Sequence, residues 1–353
     1  MRNCAAIIGA GVSGLTCGVV FAEREWDVTI FADETGQETT SGAAAAVWFP
    51  YDAEPVDKVI PWSLTTYGRL RELARDSQSG VSMLELRQFT RTGEIPIPDW
   101  AKNLGARVIP VIPSDPSRHS PAKAEVDGSR SVVAGIGDPG NAATSMRIIG
   151  SNFSVPFSNG FALTVPLIDT TIYLDYLANR FRTAGGTIQS AHISKVDQIS
   201  RDFDVIINCA GIGARELVHD SQLEPHRGQV AIVPKLDLAQ AIVCDGPPLM
   251  YAIPRAHDCV FGGTNSISEN REPSSADTIA IVSECSRVLG IDPPRVIAVK
   301  VGLRPFRKSG VRLERKGLSD GRTVIHNYGH GGAGFTLSWA CAEEVRAMAS
   351  RTS

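Results

Sequence analysis

The sequence lacks any apolar run long enough to cross a membrane. No uninterrupted apolar stretch approaches the roughly 20 residues that a transmembrane helix needs. The first apolar segment starts at Cys4, which leaves no space for a signal peptide ahead of it in this sequence. We therefore expect a protein that does not associate with membranes.

A basic excess and paired cysteines are also missing. The chain has 35 Lys and Arg residues against 38 Asp and Glu residues, a net charge of −3, so nucleic acid is not an expected partner. Its seven cysteines are scattered without the paired spacing of a metal site, and we expect no bound metal. Their odd number and their positions inside apolar segments predict reduced thiols and a cytoplasmic location.

The length and composition allow a large folded core. The 353 residues exceed one ordinary domain, and 43% hydrophobic content with 21% charged residues is typical of a globular chain. We therefore expect two domains that share a cofactor.

A short apolar segment followed at once by a glycine turn opens the chain. Residues 4–8 are typical of a buried parallel strand, and residues 9–14 have the spacing G-x-G-x-x-G. Residues 15–25 have a helix-compatible composition, and residues 28–31 indicate a second strand that ends at Asp33. This order of strand, glycine turn, helix, strand and acid predicts a dinucleotide-binding unit.

Each glycine of that turn has a physical task. Gly9 permits the tight turn, Gly11 lets the backbone approach a pyrophosphate, and Gly14 lets the helix pack closely on the strand. The pyrophosphate would meet free amide groups at the positive end of the helix dipole. Asp33 is placed to accept hydrogen bonds from an adenosine ribose. A flexible glycine loop alone would not explain Asp33.

Two further segments contain small residues that would allow a large planar ligand to approach. In residues 39–51, Thr39, Thr40 and Ser41 offer hydroxyl groups before a run of alanines, although a tightly packed core loop explains this composition equally well. Residues 204–214 predict a buried strand that enters a glycine turn near Gly211 and lies beside the first strand in a parallel sheet.

Periodic patterns predict the remaining elements. Ser63 is the predicted N-cap of a helix whose Leu64, Tyr67 and Leu70 share an apolar face. Further helices are predicted at 170–184, 275–289 and 335–349. Further strands are predicted at 187–194, 230–233, 249–253, 259–263, 296–301 and 323–327, several of them antiparallel. Residues 114–131 are rich in Ser, Pro, Asp and Lys, which favours a surface loop or insertion.

Five segments together carry a resemblance to a known family. They are the N-terminal motif, TTSGAAAAVWFPY (39–51), DVIINCAGIGA (204–214), GLRPFR (302–307) and HNYGHGGAGFTLSW (326–339). Their order and spacing over nearly the whole chain resemble the D-amino-acid oxidase family of FAD enzymes. The resemblance implies an α/β fold with a Rossmann-like FAD-binding domain and a second α+β substrate domain built on an antiparallel sheet. The expected boundaries are 1–46, 155–222 and 308–353 for the first domain, and 47–154 and 223–307 for the second.

The resemblance also implies roles for individual residues. Arg304 would bind the substrate carboxylate, Tyr251 would assist it, and the Gly332 carbonyl would receive the amino group. Ala45, Ala46 and Trp48 would line the isoalloxazine ring. The full set of implied non-covalent FAD contacts is Gly9, Gly11, Val12, Ser13, Gly14, Asp33, Thr39, Thr40, Ser41, Ala45, Ala46, Trp48, Ile193, Gly211, Gly332, Gly334, Phe335 and Thr336.

The implied reaction is the oxidative deamination of D-amino acids to 2-oxo acids, ammonia and hydrogen peroxide, by hydride transfer from the α-carbon to flavin N5. The expected partners are an amino acid and oxygen, and the oligomeric state stays open, with a homodimer as one alternative. A D-aspartate or glycine oxidase, a nicotinamide-dependent dehydrogenase and a non-catalytic flavin-binding protein are alternative functions. Neutral or apolar substrates are expected, because only Arg255 or His257 could supply an additional cation for an acidic one.

The chemistry of the side chains bears on these roles. A guanidinium matches a carboxylate through parallel donors, and a buried Arg304 without such a partner would be costly; a structural ion pair is the alternative. Tyr251 could equally be a core tyrosine. His326 and His330 lie beside a glycine turn, where structural hydrogen bonds are common, so we expect no acid or base catalyst among the side chains.

Three features depart from the family pattern. Pro247 stands where some relatives carry a second tyrosine on a lid. Phe49 takes a position that is polar in some relatives, which predicts a more apolar pocket. The stretch 114–151 is longer than the family leads us to expect, and we assign it no role.

Overall fold

The computed structural model of the protein describes residues 3–109 and 157–350. The predicted loop at 114–131 and the long stretch 114–151 lie outside the described residues. Within the described ranges the strands form two large sheets, one mostly parallel and one mostly antiparallel.

The first sheet has six strands among the described residues, in the order β14, β15, β7, β1, β2, β6. Their bounds are β1 Cys4–Ala10, β2 Asp27–Thr35, β6 Thr187–Ser190, β7 Val205–Asn208, β14 Arg312–Gly317 and β15 Thr323–Tyr328. β1 pairs in parallel with both β2 and β7, so that Ile7 lies between Ile30 and Ile207. This confirms the parallel pairing of the two buried segments that the sequence predicts.

Helices cover one face of this sheet. The described helices are α1 Val12–Ala22, α2 Val56–Leu73, α3 Asp99–Asn103, α4 Thr170–Thr183, α5 Ala214–Leu217, α6 Ser275–Leu289 and α7 Gly334–Ser350. α1 contacts α4 and α7, and every residue of α1 except Ser13 is buried. A helix that is apolar on all sides can be stable only when it is enclosed in this way.

The second sheet has nine strands within the part of the chain that the structure describes. Its strands are β3 Val81–Thr90, β4 Arg107–Val108, β5 Asn159–Ile168, β8 Leu223–Pro234, β9 Gln240–Cys244, β10 Met250–Pro254, β11 Asp258–Gly262, β12 Ser266–Ile267 and β13 Ala298–Arg307. They run in the order β12, β8, β11, β10, β9, β3, β5, β4, with β13 also paired to β8. All these pairs are antiparallel except β3 with β9.

Helix α6 covers one face of the second sheet. It begins at the N-cap Ser274, whose side chain accepts a hydrogen bond from the Asp277 amide, and ends at Gly290 with φ +65°. Its Ile281, Cys285 and Val288 pack in one buried cluster with strand residues of β8 to β11. The sequence predicts this helix and its glycine stop correctly, as it does α4 with Leu174, Leu177 and Phe181 inward.

The predicted start of the second helix is wrong. α2 begins seven residues before Ser63, after Pro55, and the Ser63 hydroxyl donates to the Val59 carbonyl inside the helix at 2.7 Å. Pro61 is the sixth residue of α2 and lies past its first turn, so its missing amide removes one hydrogen bond, to the Asp57 carbonyl, from the helix. The predicted apolar face holds, since Tyr67 and Leu70 are buried.

Several strand ends also differ from expectation. β2 continues past Asp33 to Thr35, β6 stops at Ser190, and β8 is much longer than the predicted segment 230–233. β13 starts at Ala298 and extends to Arg307, so Arg304 belongs to a strand and not to the turn after one. β5 pairs with β3 in the second sheet, although it lies within the first predicted domain. The domain boundaries remain a prediction.

Candidate active site

One cavity of about 650 Å³ lies between the two sheets. On one side it meets the carboxyl ends of β1, β2, β7 and β15, through Gly9, Asp33, Gly211 and Tyr328. The carboxyl edge of a parallel sheet is the usual location of ligand sites in α/β folds. The second sheet supplies the other side of the cavity.

The second sheet presents alternate residues of its strands to this cavity. Side chains along a strand point to opposite faces in turn, so one face is lined by every second residue. The lining residues show this period on four strands: Leu86 and Gln88, Gly228 and Val230, Tyr251 and Ile253, and Gly302 and Arg304. Four residues of β9 and β10 instead face the α6 core, namely Ile242, Cys244, Met250 and Ala252. The antiparallel sheet therefore forms a wall with a defined set of side chains.

The glycine turn after β1 is packed so tightly that side chains would not fit at its glycine positions, as close contact with a nucleotide requires. Gly9 has φ +102°, and a Cβ there would lie 2.5 Å from the Cys209 carbonyl oxygen. A Cβ at Gly14 would lie 1.9 Å from the Gly9 carbonyl oxygen, which explains why the helix can pack so close to the strand. A Cβ on Gly11 would meet the Ser41 hydroxyl at 3.1 Å. Gly14 thus acts through packing and, unlike Gly9 and Gly11, does not line the cavity.

The start of α1 lies at the cavity. Its N-cap residue Gly11 has no side chain with which to cap the helix, and Gly11, Val12 and Ser13 line the cavity. Val12 donates its amide to the Ser41 hydroxyl at 3.0 Å. This brings the glycine turn and the segment after Thr39 together, as the resemblance implies.

The carboxylate of Asp33 lies at the far end of the cavity and faces His192. The His192 Nδ1 is 2.6 Å from Asp33 Oδ2, and this hydrogen bond raises the pKa of His192. Both side chains are largely exposed, so Asp33 remains accessible to a ligand. Next to Asp33, Glu34 forms an ion pair with Arg271 at 2.5 Å. His192 and Arg271 have no signature in the sequence, because they come from segments far from the glycine motif.

The small residues 43–46 line the cavity, but Trp48 does not. Trp48 is fully buried, donates its Nε1 hydrogen to the Ser63 carbonyl at 3.1 Å, and packs edge-on against Tyr67 and Trp100. Val47 and Phe49 reach the cavity instead. The indole ring of Trp48 thus packs in the core beneath the segment, and the contact with the flavin that the resemblance implies for Trp48 stays a prediction.

The hydroxyl groups of Thr39, Thr40 and Thr336 have backbone partners. Thr39 Oγ1 donates to the Gly36 carbonyl at 2.8 Å, and Thr40 Oγ1 lies 3.3 Å from the Leu303 carbonyl. Thr336 Oγ1 donates to the Phe49 carbonyl at 3.0 Å. These bonds tie the segment 39–51 to β13 and α7 around the cavity.

Arg304 extends over bare backbone and has no carboxylate partner among the described residues. Its Nη1 donates to the Thr264 carbonyl at 3.1 Å, and its guanidinium covers Gly228, where a Cβ would lie 2.4 Å from Nη2. Its neighbour Arg307 is different, because it forms an ion pair with Asp220 at 2.8 Å. The alternative of a structural ion pair thus applies to Arg307 and not to Arg304.

Tyr251 also lies over glycine backbone, on the strand next but one to β8. A Cβ at Gly262 would be 2.0 Å from its ring, and a Cβ at Gly263 would be 2.6 Å from its hydroxyl. Burial raises the pKa of Tyr251, and the nearby positive charge of Arg304 acts in the opposite direction. Because Gly262 and Gly263 have no side chains, the Tyr251 phenol has room to lie close to the Arg304 guanidinium at the cavity wall.

The glycine turn before α7 closes the cavity from the side of the first sheet. A Cβ at Gly331, which has φ +53°, would lie 1.9 Å from the Asp52 carbonyl oxygen. A Cβ at Gly332 would lie 2.6 Å from the Tyr51 ring. Gly332, Gly334 and Phe335 line the cavity, and the α7 helix begins at Gly334.

Both histidines of the last motif make structural hydrogen bonds. His326 Nδ1 lies 3.3 Å from the Asn208 side chain, and His330 Nε2 lies 3.1 Å from Asn327 Oδ1. Burial lowers the pKa of each histidine to about 4, so both are neutral near pH 7.

Several polar residues of the cavity are absent from the set that the sequence predicts, and three of them, Tyr51, Asp245 and Gln88, lie near Tyr251. Tyr51 faces Gly332, and its hydroxyl accepts a hydrogen bond from the Asn265 amide at 3.3 Å. Asp245, which follows β9, and Gln88 of β3 lie at the opposite side of Tyr251 from Arg304. Tyr51 belongs to a motif that was singled out, but nothing in the sequence shows that Gln88 and Asp245 meet.

The cavity brings together eighteen of the twenty predicted site residues. These are Gly9, Gly11, Val12, Ser13, Asp33, Thr39, Thr40, Ser41, Ala45, Ala46, Ile193, Gly211, Tyr251, Arg304, Gly332, Gly334, Phe335 and Thr336. The start of α1 at the cavity, the tightly packed glycine turn and the accessible Asp33 carboxylate all fit an adenine dinucleotide.

Comparison with known proteins identifies the family. A family model described as "DAO: FAD dependent oxidoreductase" matches residues 5–146 and 154–348. The chain belongs to this family of FAD-dependent oxidoreductases. It is 34% identical over 352 residues to the D-amino-acid oxidase of Rubrobacter xylanophilus, covering 98% of this chain and 95% of that protein. It is 35% identical over 350 residues to the D-amino-acid oxidase of Streptomyces coelicolor, covering 98% and 96%.

Solved structures agree on the fold. The structure of glycine oxidase from Bacillus cereus matches with a TM-score of 0.74 at 14% identity, covering 100% of this chain and 96% of that one. FAD is therefore the cofactor of this FAD-dependent oxidoreductase, and the α/β fold with a nucleotide-binding sheet is that of its family. Within the described ranges, every helix falls short of the length and apolar character that a bilayer crossing requires.

Proposed function

We propose that this chain oxidises D-amino acids to 2-oxo acids, with release of ammonia and hydrogen peroxide. One observation carries the proposal: Arg304 faces the same cavity as the nucleotide turn and has no carboxylate partner among the described residues. A guanidinium without a counter-ion in such a site costs free energy unless the carboxylate of a ligand pairs with it. The two relatives named D-amino-acid oxidase support the choice of amino acid.

The residues of the first sheet would hold FAD. The amide groups at the start of α1 would bind the pyrophosphate, and Asp33 would accept hydrogen bonds from the ribose. Residues 43–46 and the backbone before α7 would contact the ring system. FAD, when bound, supplies the acceptor for the hydride that leaves the substrate α-carbon.

The residues of the second sheet would orient the substrate. Arg304 would hold the α-carboxylate through two parallel donors, and Tyr251 would donate its hydroxyl to the same group. The Gly332 carbonyl would accept a hydrogen bond from the amino group. We propose no side chain as acid or base, because the two nearby histidines are neutral and hydrogen-bonded to asparagines.

The start of α7 would add an electrostatic contribution. Its first amide groups lie beside Gly332 at the cavity, where the positive end of a helix dipole stabilises negative charge. We expect this to favour the reduced form of the cofactor.

The wall of the cavity favours aliphatic over acidic side chains. Phe49, Leu86, Val243 and Leu249 line it. Arg255, a candidate cation for an acidic substrate, is buried and holds Asp258 with two hydrogen bonds of 2.7 and 2.8 Å. Arg255 is therefore not free to bind a second carboxylate, which weighs against the D-aspartate alternative.

We further propose that the reaction takes place in the cytoplasm and that a homodimer is the assembly to test. Six of the seven cysteines are buried free thiols, as suits a reducing compartment. Light scattering of the purified protein would measure the assembly.

Anaerobic reduction of the bound flavin by a panel of D- and L-amino acids tests the function. We expect D-amino acids to bleach the yellow absorbance, and peroxide to form once oxygen is admitted. Loss of two charge-assisted hydrogen bonds in Arg304→Ala should lower kcat/KM by roughly a hundredfold or more. The control Arg315→Ala removes an exposed arginine of β14 and should leave kcat/KM unchanged. Bleaching by L-amino acids or glycine alone, or full activity in Arg304→Ala, would contradict the proposal.

A further inference from the structure

Asp245 is a charged residue of the cavity that the proposed reaction does not use. It follows β9 and faces the cavity with Gln88, whose Nε2 donates to Asp245 Oδ2 at 2.8 Å. Gln88 is buried, so this amide holds the carboxylate in a fixed position. None of the basic side chains in residues 3–109 and 157–350 forms an ion pair with Asp245.

The loop that carries Asp245 is fixed by an arginine that is otherwise engaged. Arg91 donates to the Pro248 carbonyl at 2.9 Å and pairs with Glu284 at 2.7 Å. It therefore anchors the loop without neutralising Asp245. Although the Asp245 side chain is accessible through the cavity, the surrounding protein raises its pKa by desolvation. A cation from solution or from a ligand would relieve this cost.

Asp245 and Arg304 lie on opposite sides of Tyr251. The Arg304 guanidinium covers Gly228 of β8, and β8 is separated from β9 by three strand spacings through β11 and β10, or about 14 Å. Both charges influence the pKa of Tyr51, Asp245 raising it and Arg304 lowering it, so the phenol of Tyr51 lies within range of both. A ligand that reaches both charges needs a long side chain.

The cavity wall next to Asp245 is apolar. Leu86 and Val243 lie on the strands β3 and β9 beside Asp245, and Leu249, which precedes β10, lines the cavity between Asp245 and Arg304. Long cationic side chains bury their methylene groups along such surfaces and keep the charged group at a polar end. The apolar wall and the terminal carboxylate together match a lysine-like or arginine-like side chain.

We propose that Asp245, held by Gln88, binds the terminal cation of a basic D-amino acid whose α-carboxylate is bound by Arg304. The proposal rests on the proposed oxidase function and specifies its substrate class: D-lysine, D-ornithine and D-arginine. It refines the expectation of neutral or apolar substrates, since the stem of these side chains uses the same apolar wall.

Steady-state kinetics with matched substrate pairs tests the proposal. D-norleucine is D-lysine without its terminal amino group, and D-citrulline is a neutral analogue of D-arginine. We expect wild-type kcat/KM for the charged member of each pair to exceed that for the neutral one by about tenfold or more, the size of one charge-assisted hydrogen bond. In Asp245→Asn this advantage should disappear, mainly through KM, while the values for D-norleucine and D-citrulline stay within about twofold.

The control variant is Asp237→Asn, which removes an exposed negative charge from the loop before the same strand. It should retain the preference for the charged substrates. Equal or better turnover of the neutral member of each pair by the wild type would overturn this inference and leave the oxidase function standing. An equal loss for all substrates in Asp245→Asn would also overturn it, because Asp245 would then contact the amino group that every substrate shares. Turnover of no D-amino acid at all would overturn both proposals.

Discussion

At the scale of single residues, two glycines decide where the side chains that we propose to bind substrate lie. Gly228 and Gly262 occupy cavity-facing positions of the second sheet, and the side chains of Arg304 and Tyr251 cover them. A strand residue with a side chain would push either group away from the wall. The site therefore depends on the missing side chains of Gly228 and Gly262 as well as on the charge of Arg304.

Gly228→Ala should therefore impair substrate binding without removing any functional group. Its Cβ would lie 2.4 Å from Arg304 Nη2, and the guanidinium would have to move into the cavity. We expect KM for a good D-amino acid to rise by about tenfold, with a smaller change in kcat, because a displaced donor loses part of its charge-assisted bonding. Gly317→Ala, with no atom within 4 Å of its added Cβ, is the matched control. An unchanged KM in Gly228→Ala would show that the guanidinium does not rest on that glycine when substrate binds.

The sequence predicts some of these residues and not others for a physical reason. Arg304 belongs to the segment 302–307, which can be seen in the chain, and Tyr251 belongs to the predicted strand 249–253. Asp245 and Gln88 could not be predicted, because their contact joins residues 157 positions apart in the chain. The burial of Trp48 between two cavity-lining neighbours, Val47 and Phe49, could not be predicted either, because adjacent residues of a loop can point in opposite directions.

At the scale of elements, helix α1 depends on its contact with the first strand. Gly14 faces the Gly9 carbonyl so closely that a Cβ would lie 1.9 Å from that oxygen. The helix start and the glycine turn therefore form one rigid unit, in which the position of the amide groups is set by packing.

Gly14→Ala should separate this unit and weaken FAD binding. We expect a lower melting temperature and an apparent Kd for FAD at least tenfold higher, since overpacking costs about 1–3 kcal/mol. Gly68→Ala in α2 makes the matched comparison, because nothing lies within 4 Å of its added Cβ. That change should stabilise the protein by about 0.5–1 kcal/mol, the helix preference of alanine over glycine. FAD titration of the apoprotein and thermal unfolding measure both effects, and a destabilised Gly68→Ala or a neutral Gly14→Ala would contradict this account.

Element prediction succeeds where the periodic pattern is local. α4 and α6 have clear apolar faces and glycine stops, and both are found within one or two residues of their expected ends. β3 was missed because its burial does not alternate and because it carries Glu85 and Arg87, which form an ion pair on its surface. The start of α2 was missed because Pro61 interrupts the pattern, although the helix continues through it.

At the scale of the whole molecule, the cavity exists only because two sheets meet. Its walls come from strands as far apart in the chain as β1 and β13, and β8 is central because it pairs with β11, β12 and β13. The glycine motifs predict the nucleotide side, since each lies within one strand–turn–helix segment. The substrate side requires the order of the strands in the second sheet, which no local pattern contains.

The stability of the whole fold should fall in mild acid because of two buried histidines. His326 and His330 have pKa values of about 4 in the folded protein, against an ordinary value of 6.5 in the unfolded chain. Above pH 6.5 both are neutral in either state, so they cause no pH dependence there. As the pH falls from 6.5 to 4, the unfolded chain binds protons that the folded protein does not, and each histidine can reduce the free energy of unfolding by up to roughly 3 kcal/mol.

Urea unfolding at pH 7 and pH 5, with FAD at the same saturating concentration, measures this effect. His326→Gln removes one buried imidazole, and we expect it to lose less stability between the two pH values than the wild type does. His257→Gln removes an exposed histidine and should keep the wild-type difference. If His326→Gln shows the same loss between pH 7 and pH 5 as the wild type, His326 does not contribute to it. The acid sensitivity would then come from carboxylates such as Asp220, whose pKa is lowered by Arg307 and Tyr328 against the effect of burial.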